Sequence, residues 1–444
     1  MKNYFILITF ILITSACSGG GGSDNPANTF TPTVEAVTAG PLDSDYADLA
    51  AFVPDGRYAS VLKPCAGLDI GDFQESYSCR LSDLPFIGQE VATPDIDDIM
   101  SRVVVSHDWM GERFRDALTI MPDDMRLLFR SITAIVIDAD IRPAYYWGGT
   151  AAIYIDPAFL WTTNVEKATI DVAEDFRAGF GNDLNFVDTW RYTLNDNYAY
   201  PSYSLTGDDE RSVEEMAMPL TRLFYHELAH ATDFMPPQQL SGLSLNQTAL
   251  ESLNNVGNNR VSNRLYNDSP LLSDVMIDLA DTRFRTGEAS LTQISFTAEF
   301  VGAEHENDSA NHFYGYSTLR EDLAMMFEAV MMKRNFDIEM DIGYLDRPTI
   351  DDPFCNDFKV GWGKRNVIGS DRVKPRAEFV VREMLPELEW SGFFANLDGM
   401  RSMTPGLGWC TNLVLDGVSA TSSRLELDKS ERFTGWEDLS PRIH

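Results

Sequence analysis

Apolar and polar positions follow several distinct registers along this chain. Residues 4–13 are apolar except for Thr9. A long, largely polar stretch follows. At Thr93-Pro94-Asp95 a capping residue and a proline predict a helix start, with Ile96, Ile99, Met100 and Val103 at helical spacing. Residues 109–118 and 123–130 also read as helical. Residues 132–137 are apolar and β-branched, the pattern of a buried strand. Residues 145–155, interrupted by Gly148-Gly149, predict one or two strands with a turn or bulge. Residues 195–203 read as loop. Helical spacing returns over 212–234, with Pro219 a second candidate for its start, and Met235-Pro236-Pro237 stops it. Residues 241–263, rich in Asn and Ser, read mostly as loop. Ser269-Pro270 predicts a helix to Phe284, Ser317 or Thr318 a strong one to Lys333, and residues 371–385 another. No internal repeat is visible.

Composition narrows this picture. The 444 residues carry 35 Lys+Arg against 68 Asp+Glu, a net charge of −33. Phosphate backbones and anionic membranes need clustered cations, so a nucleic-acid partner is not expected. With 44% hydrophobic residues the chain can bury a large core.

The N-terminal pattern has its own meaning. Lys2 precedes the apolar run, and the small residues Thr14-Ser15-Ala16 precede Cys17. The run is too short to span a bilayer and reads as a signal peptide over residues 1–16. It resembles the bacterial lipoprotein signal, which implies acylation of Cys17. Thr14 departs from the aliphatic residue favoured there. In the sorting rule that goes with the resemblance, Ser18 favours the outer membrane, facing periplasm or cell surface. Gly19 to Ser23 and the Pro/Thr-rich residues after it form a tether over 17–45. The expected body is 46–444, with a C-terminal extension from about 340 on the same core. An exported chain permits disulfides. Sequence proximity favours Cys65 with Cys79 and Cys355 with Cys410 among three possible pairings.

One short segment carries chemistry. His226-Glu227-Leu228-Ala229-His230 reads HExxH. On a helix, residues i and i+4 share a face, so both imidazoles can reach one Zn²⁺ per chain. Glu227 projects beside them and can take a proton from a water there. Leu220, Leu223, Phe224 and Leu228 make the helix burial-competent. A third protein ligand must come from elsewhere, because Ala231-Thr232-Asp233-Phe234 lacks the next histidine of the metzincin pattern. Glu321 is the best candidate, with Asp322 and Glu328 as alternatives and capping by Thr318 as its structural explanation.

These residues resemble the zincin metallopeptidases of the glutamate-ligand type, and among them the lethal-factor-like zinc peptidases. That pattern is HExxHxxD on one helix and ExxAxxF on a second. This chain has HELAHATD and Glu321-Asp322-Leu323-Ala324-Met325-Met326-Phe327. A tyrosine seven residues before the glutamate is also present, as Tyr314. The resemblance implies ligands His226, His230 and Glu321, the base Glu227, and an oxyanion donor in Tyr314. Met325 stands where the family usually has a second Glu, and the longer His230-to-Glu321 spacing implies an insertion around 241–311.

Other residues offer weaker signals. Asp233, three residues past His230, could accept the second N–H of that ring. His312 is a loop histidine or a donor, His305 part of a solvated charge cluster, and His107 a structural residue in a helix. Arg320 could pair with Glu321. Tyr145-Tyr146-Trp147 reads as a packing face, and residues 151–155 as an edge strand for substrate. The expected fold is α+β and zincin-like. A twisted mixed sheet lies over the HExxH helix, above a mainly helical lower half. The expected function is a lipid-anchored zinc peptidase acting on peptide or protein substrates and touching the membrane only through its anchor. The alternative is a non-catalytic binding or scaffold lipoprotein of the cell envelope.

Overall fold

The computed structural model describes residues 49–67, 74–172 and 179–415. Cys17, the signal and the tether lie outside these residues. Among the described residues, ten strands form two five-stranded sheets.

The first sheet contains β1 (Ala50–Ala51), β2 (Val103–Val105), β3 (Ile135–Ile137), β4 (Tyr145–Trp147) and β5 (Ala152–Ile155). Their spatial order is β1-β2-β3-β5-β4. The pairs β2/β3 and β3/β5 are parallel, while β1/β2 and β4/β5 are antiparallel. The sheet is mixed, as expected. Alternate side chains face opposite sides, and both sides are buried. Val103, Val105, Ile135, Ile137, Ile153 and Ile155 join the main core. Val104, Val136, Ala152 and Tyr154 join a second cluster with Leu62 and Cys65. Burial on both faces explains the continuous apolar run of 132–137.

Val103 starts β2 and does not continue a helix. The preceding helix spans only Ile96–Met100, and its cap is Asp95, not Thr93. Asp95 and Asp98 form a reciprocal capping box that outcompetes the Thr-Pro signal. The strand expected to lie at the edge, β5, is interior. The open edge belongs to β4.

The second sheet has β6 (Phe186–Leu194), β7 (Asn197–Tyr198), β8 (Glu339–Asp346), β9 (Lys359–Arg365) and β10 (Arg401–Ser402), in the order β10-β9-β8-β6-β7. All its pairings are antiparallel. This second sheet is not among the elements that the sequence pattern predicts. Asn195 and Asp196 both adopt positive φ, the conformation of a tight hairpin turn. That turn joins β6 to β7 in the segment read as loop. Residues after 340 supply most of β8 and all of β9 and β10, and Met340, Ile342 and Tyr344 belong to the main core. The supposed extension is part of the fold.

The helices that frame the site are α1 (Asp108–Ile120), α2 (Val213–Phe234), α3 (Val261–Asp268), α4 (Ala298–Asn307), α5 (Leu319–Phe336) and α6 (Lys374–Met384). Ser212 caps α2 and exchanges hydrogen bonds with Glu215, so the helix starts before Pro219 and runs through it. A proline in the second turn costs one backbone bond without ending a long buried helix. Residues 241–263 contain the helix Ala249–Val256 and the start of α3. Thr248 and Glu251 form a capping box there, hidden within the polar composition. The helix expected from Ser269-Pro270 to Phe284 starts later, at Asp274 with Ser273 as its cap, and continues past Asp281 through a π-helical turn over Thr282–Thr286. Both expected disulfides are present, Cys65–Cys79 and Cys355–Cys410. No described helix is long and apolar enough to cross a membrane.

Candidate metal centre

Helix α2 is buried along most of its length. It carries His226 and His230 one turn apart on one face. Their Nε2 atoms lie 3.3 Å apart. Helix α5 packs against α2 and brings in Glu321 from its first turn. The Thr318 hydroxyl accepts the N–H groups of Arg320 and Glu321, each at 3.1 Å. Capping is thus done by Thr318 alone, and the Glu321 carboxylate is left to face the histidines. Its Oε2 lies 3.0 Å from His226 Nε2 and 3.3 Å from His230 Nε2.

These separations decide what the group can do. Ligands at about 2.0 Å in a tetrahedron are about 3.3 Å apart. The three donor atoms therefore span one face of such a tetrahedron, with a fourth position open. Two imidazoles and a carboxylate are also a donor set that suits zinc. His226, His230 and Glu321 can hold a metal ion. Their side chains are 4%, 12% and 14% exposed, so the centre is deep but reachable.

The two alternative ligands do other work. Asp322 is buried and paired with Arg376. Glu328, fully buried, sits behind His226. Its Oε2 accepts the Nδ1 proton of His226 at 3.1 Å, which leaves Nε2 free for a metal. Glu328 also accepts the Tyr192 hydroxyl at 2.7 Å and faces Arg222 at 3.3 Å. Arg222 stands one turn before His226 on α2, and Tyr192 comes from β6. The second sheet is thereby tied to the candidate ligand His226. Sequence reasoning missed Arg222 and Tyr192. A cation at i−4 from the first histidine was the available sign of Arg222. The strand carrying Tyr192 had not been recognised.

Charge follows this geometry. Burial pushes the His226 ring toward neutrality, but its bonds to Glu321 and Glu328 outweigh burial and lift it to about 10. Burial would raise Glu321, yet the charge of His230 and the bonds to both rings hold it well below the usual carboxylate range. Burial raises Glu227, with the two histidines opposing. A raised carboxyl suits a group that must both take and give a proton. The backbone of Tyr146 on β4 lies near the Glu227 carboxyl and favours its charged form. Ile153 donates its N–H toward β3, to Ala134. Tyr146 lies opposite Ile153, so its own backbone groups turn to the open edge.

Tyr314 lies in the turn Phe313–Tyr316 just before α5. Its ring centroid is 6.3 Å from that of His226, nearly parallel, and Phe284 packs edge-on at 4.9 Å. The structure thus brings Tyr314 beside the same ligands.

Other expectations are corrected. Asp233 does not serve His230. Both its oxygens are taken by Ser262, from N–H at 2.8 Å and hydroxyl at 2.6 Å, which ties α2 to α3. His305 is buried, not solvated. It donates from Nε2 to the Ala310 carbonyl at 3.0 Å and accepts the Tyr344 hydroxyl at 2.7 Å, and burial pushes it down to about 4. His312 is a buried structural histidine whose Nδ1 accepts the Tyr314 N–H at 3.0 Å. Burial takes it to about 3. His107 precedes α1 and is not within it. Arg320 makes no ion pair with Glu321. It lies over the Phe234 ring, 4.8 Å from its centroid.

No protein-family model, curated protein or solved structure matches this chain.

Proposed function

We propose that this protein is a zinc-dependent peptidase, exported and anchored by a lipid on Cys17. The observation that carries the reading is the spacing of His226, His230 and Glu321 beside the buried carboxyl of Glu227. A bound Zn²⁺ would supply Lewis acidity to a water and to the scissile carbonyl.

The protein's own groups account for the remaining steps. Glu227 takes the proton of the attacking water and delivers it to the leaving nitrogen. It sits near the Tyr146 backbone at the sheet edge. Tyr314 donates its phenolic hydrogen to the oxyanion that develops on the carbonyl. The outward carbonyl of Tyr146 offers an extended substrate a pairing site at the open edge, so β4 takes the role expected of residues 151–155. Glu328 holds His226 in the tautomer that a metal needs. A scaffold protein would have no use for a buried, edge-bound carboxyl between two histidines. The test is cleavage of a proteome-derived peptide library, read by mass spectrometry. The reading predicts one zinc per chain, cleavage lost on chelation, and recovery on adding Zn²⁺. A zinc-loaded protein that cleaves no peptide would overturn it.

A further inference from the structure

One patch beside the metal group contradicts the charge balance of the chain. Phe234 lies one turn beyond His230 on α2. The guanidinium of Arg260 lies 4.2 Å from the Phe234 ring centroid, and that of Arg320 lies 4.8 Å from it. The two like charges are close enough for Arg320 to help burial weaken the charged form of Arg260.

Neither cation has a carboxylate partner. Elsewhere, guanidiniums in the interior meet acids: Arg102 with Glu90, Arg222 with Glu328, Arg365 with Asp341. Arg320 makes no ion pair and no side-chain hydrogen bond among the described residues, and its Nε is buried without a partner. Arg260 donates only to the Leu253 carbonyl at 3.2 Å, and its Nε is likewise unpartnered. Asp233, whose field reaches Arg260, is spent on Ser262. The hydroxyl of Tyr146 is buried without a partner, within reach of the field of Arg260. Acids outnumber bases about two to one in this chain. Two arginines on one ring, with no carboxylate between them, keep guanidinium donors that the Phe234 ring and the Leu253 carbonyl do not fill.

The position of the two arginines identifies what fills those donors. Arg320 adjoins the ligand Glu321. Phe234 follows the ligand His230 and packs against Tyr146 at 5.5 Å. The Tyr146 backbone in turn lies near Glu227. We propose that Arg260 and Arg320 form a carboxylate-binding subsite that selects peptides carrying an acidic group near the bond to be cleaved. This inference rests on the peptidase reading above. The guanidinium fork matches a carboxylate in a bidentate manner. The carboxylate can come from an Asp or Glu side chain or from a peptide C-terminus.

The test uses zinc-loaded Glu227→Gln protein and labelled peptide pools of equal length. The pools carry Asp/Glu, Asn/Gln or Lys/Arg, each as free acid and as C-terminal amide. The acidic pool should bind about tenfold or more tightly than the neutral pool. A comparable loss of binding by every pool on amidation assigns the carboxylate to the C-terminus, and an acidic preference that persists on amidation assigns it to the side chain. The acidic-to-neutral ratio should collapse toward unity in Arg260→Gln and Arg320→Gln. Arg320→Glu should turn the preference toward the basic pool. A purely structural role would weaken all pools in proportion and leave the ratio intact, which overturns the proposal. So would a parent protein whose acidic-to-neutral ratio is near unity and whose binding does not fall on amidation. If the Arg260 variant does not fold, Arg320→Gln reads the same ratio, because that side chain has no hydrogen bond to lose. Library cleavage by the wild-type protein separates the two readings. Binding preference without cleavage removes the peptidase, and cleavage without preference removes the subsite.

Discussion

Glu328 Oε2 lies 3.1 Å from Nδ1 of His226, at the hidden side of the ring whose Nε2 faces Glu321. One buried carboxylate thus fixes the tautomer of a candidate metal ligand and neutralises Arg222. Glu328→Gln keeps the shape but removes the charge. It should weaken zinc affinity by about 10–100-fold, measured by chelator competition, and should lower the melting temperature because Arg222 loses its partner. Unchanged zinc affinity would show that Glu328 serves the fold alone.

The charge state of His226 predicts a pH signature. In the chelated protein its folded-state value of about 10 exceeds the unfolded value of about 6.5. Its contribution to stability is full below the unfolded value and is lost as pH rises through the folded one. The melting temperature of chelated protein should therefore fall from about pH 7 to about pH 10, and less so in His226→Gln. Zinc requires the neutral ring, so uptake at neutral pH should release about one proton. Calorimetry in buffers of different ionisation enthalpy reads this directly, and no buffer dependence would count against it.

Ser262→Ala separates fold from function at Asp233. It removes a hydrogen bond to a buried carboxylate, worth about 1.5–3 kcal/mol. Stability should fall while zinc affinity stays within about threefold. A larger loss of affinity would restore the role of Asp233 as a partner of His230.

The two disulfides close loops of different length, with separations of 14 and 55 residues. Chain entropy alone makes the longer worth about 4 kcal/mol and the shorter about 3. Denaturant unfolding of the paired Cys→Ser variants should show the larger loss for Cys355/Cys410. The reverse order would point to enthalpic terms.

Much of the candidate site was legible because its signals are local. HExxH fixes two ligands through helical periodicity alone, and Thr318 announces the turn that aims Glu321. Residues 132–137 and 145–155 announced their strands by β-branching and Gly-Gly. What stayed hidden was set by distant partners. β6 pairs with β8 across about 150 residues, so nothing beside Tyr192 in sequence revealed that it would reach Glu328. Asp233 sits at the right spacing for His230, yet Ser262 competes for it from α3. His305 looked solvated among Glu304 and Glu306, while Tyr344 and Ala310 bury it. The helix at Ala249–Val256 hid within a polar stretch because only one of its faces packs.

The most direct measurement is peptide hydrolysis by wild-type and Glu227→Gln proteins at equal, verified zinc occupancy. Glu227 is no ligand, so the substitution leaves His226, His230 and Glu321 in place. The account predicts equal zinc content and a fall in kcat/KM of at least about 100-fold, the scale of a lost general base. Undiminished cleavage by Glu227→Gln would contradict it.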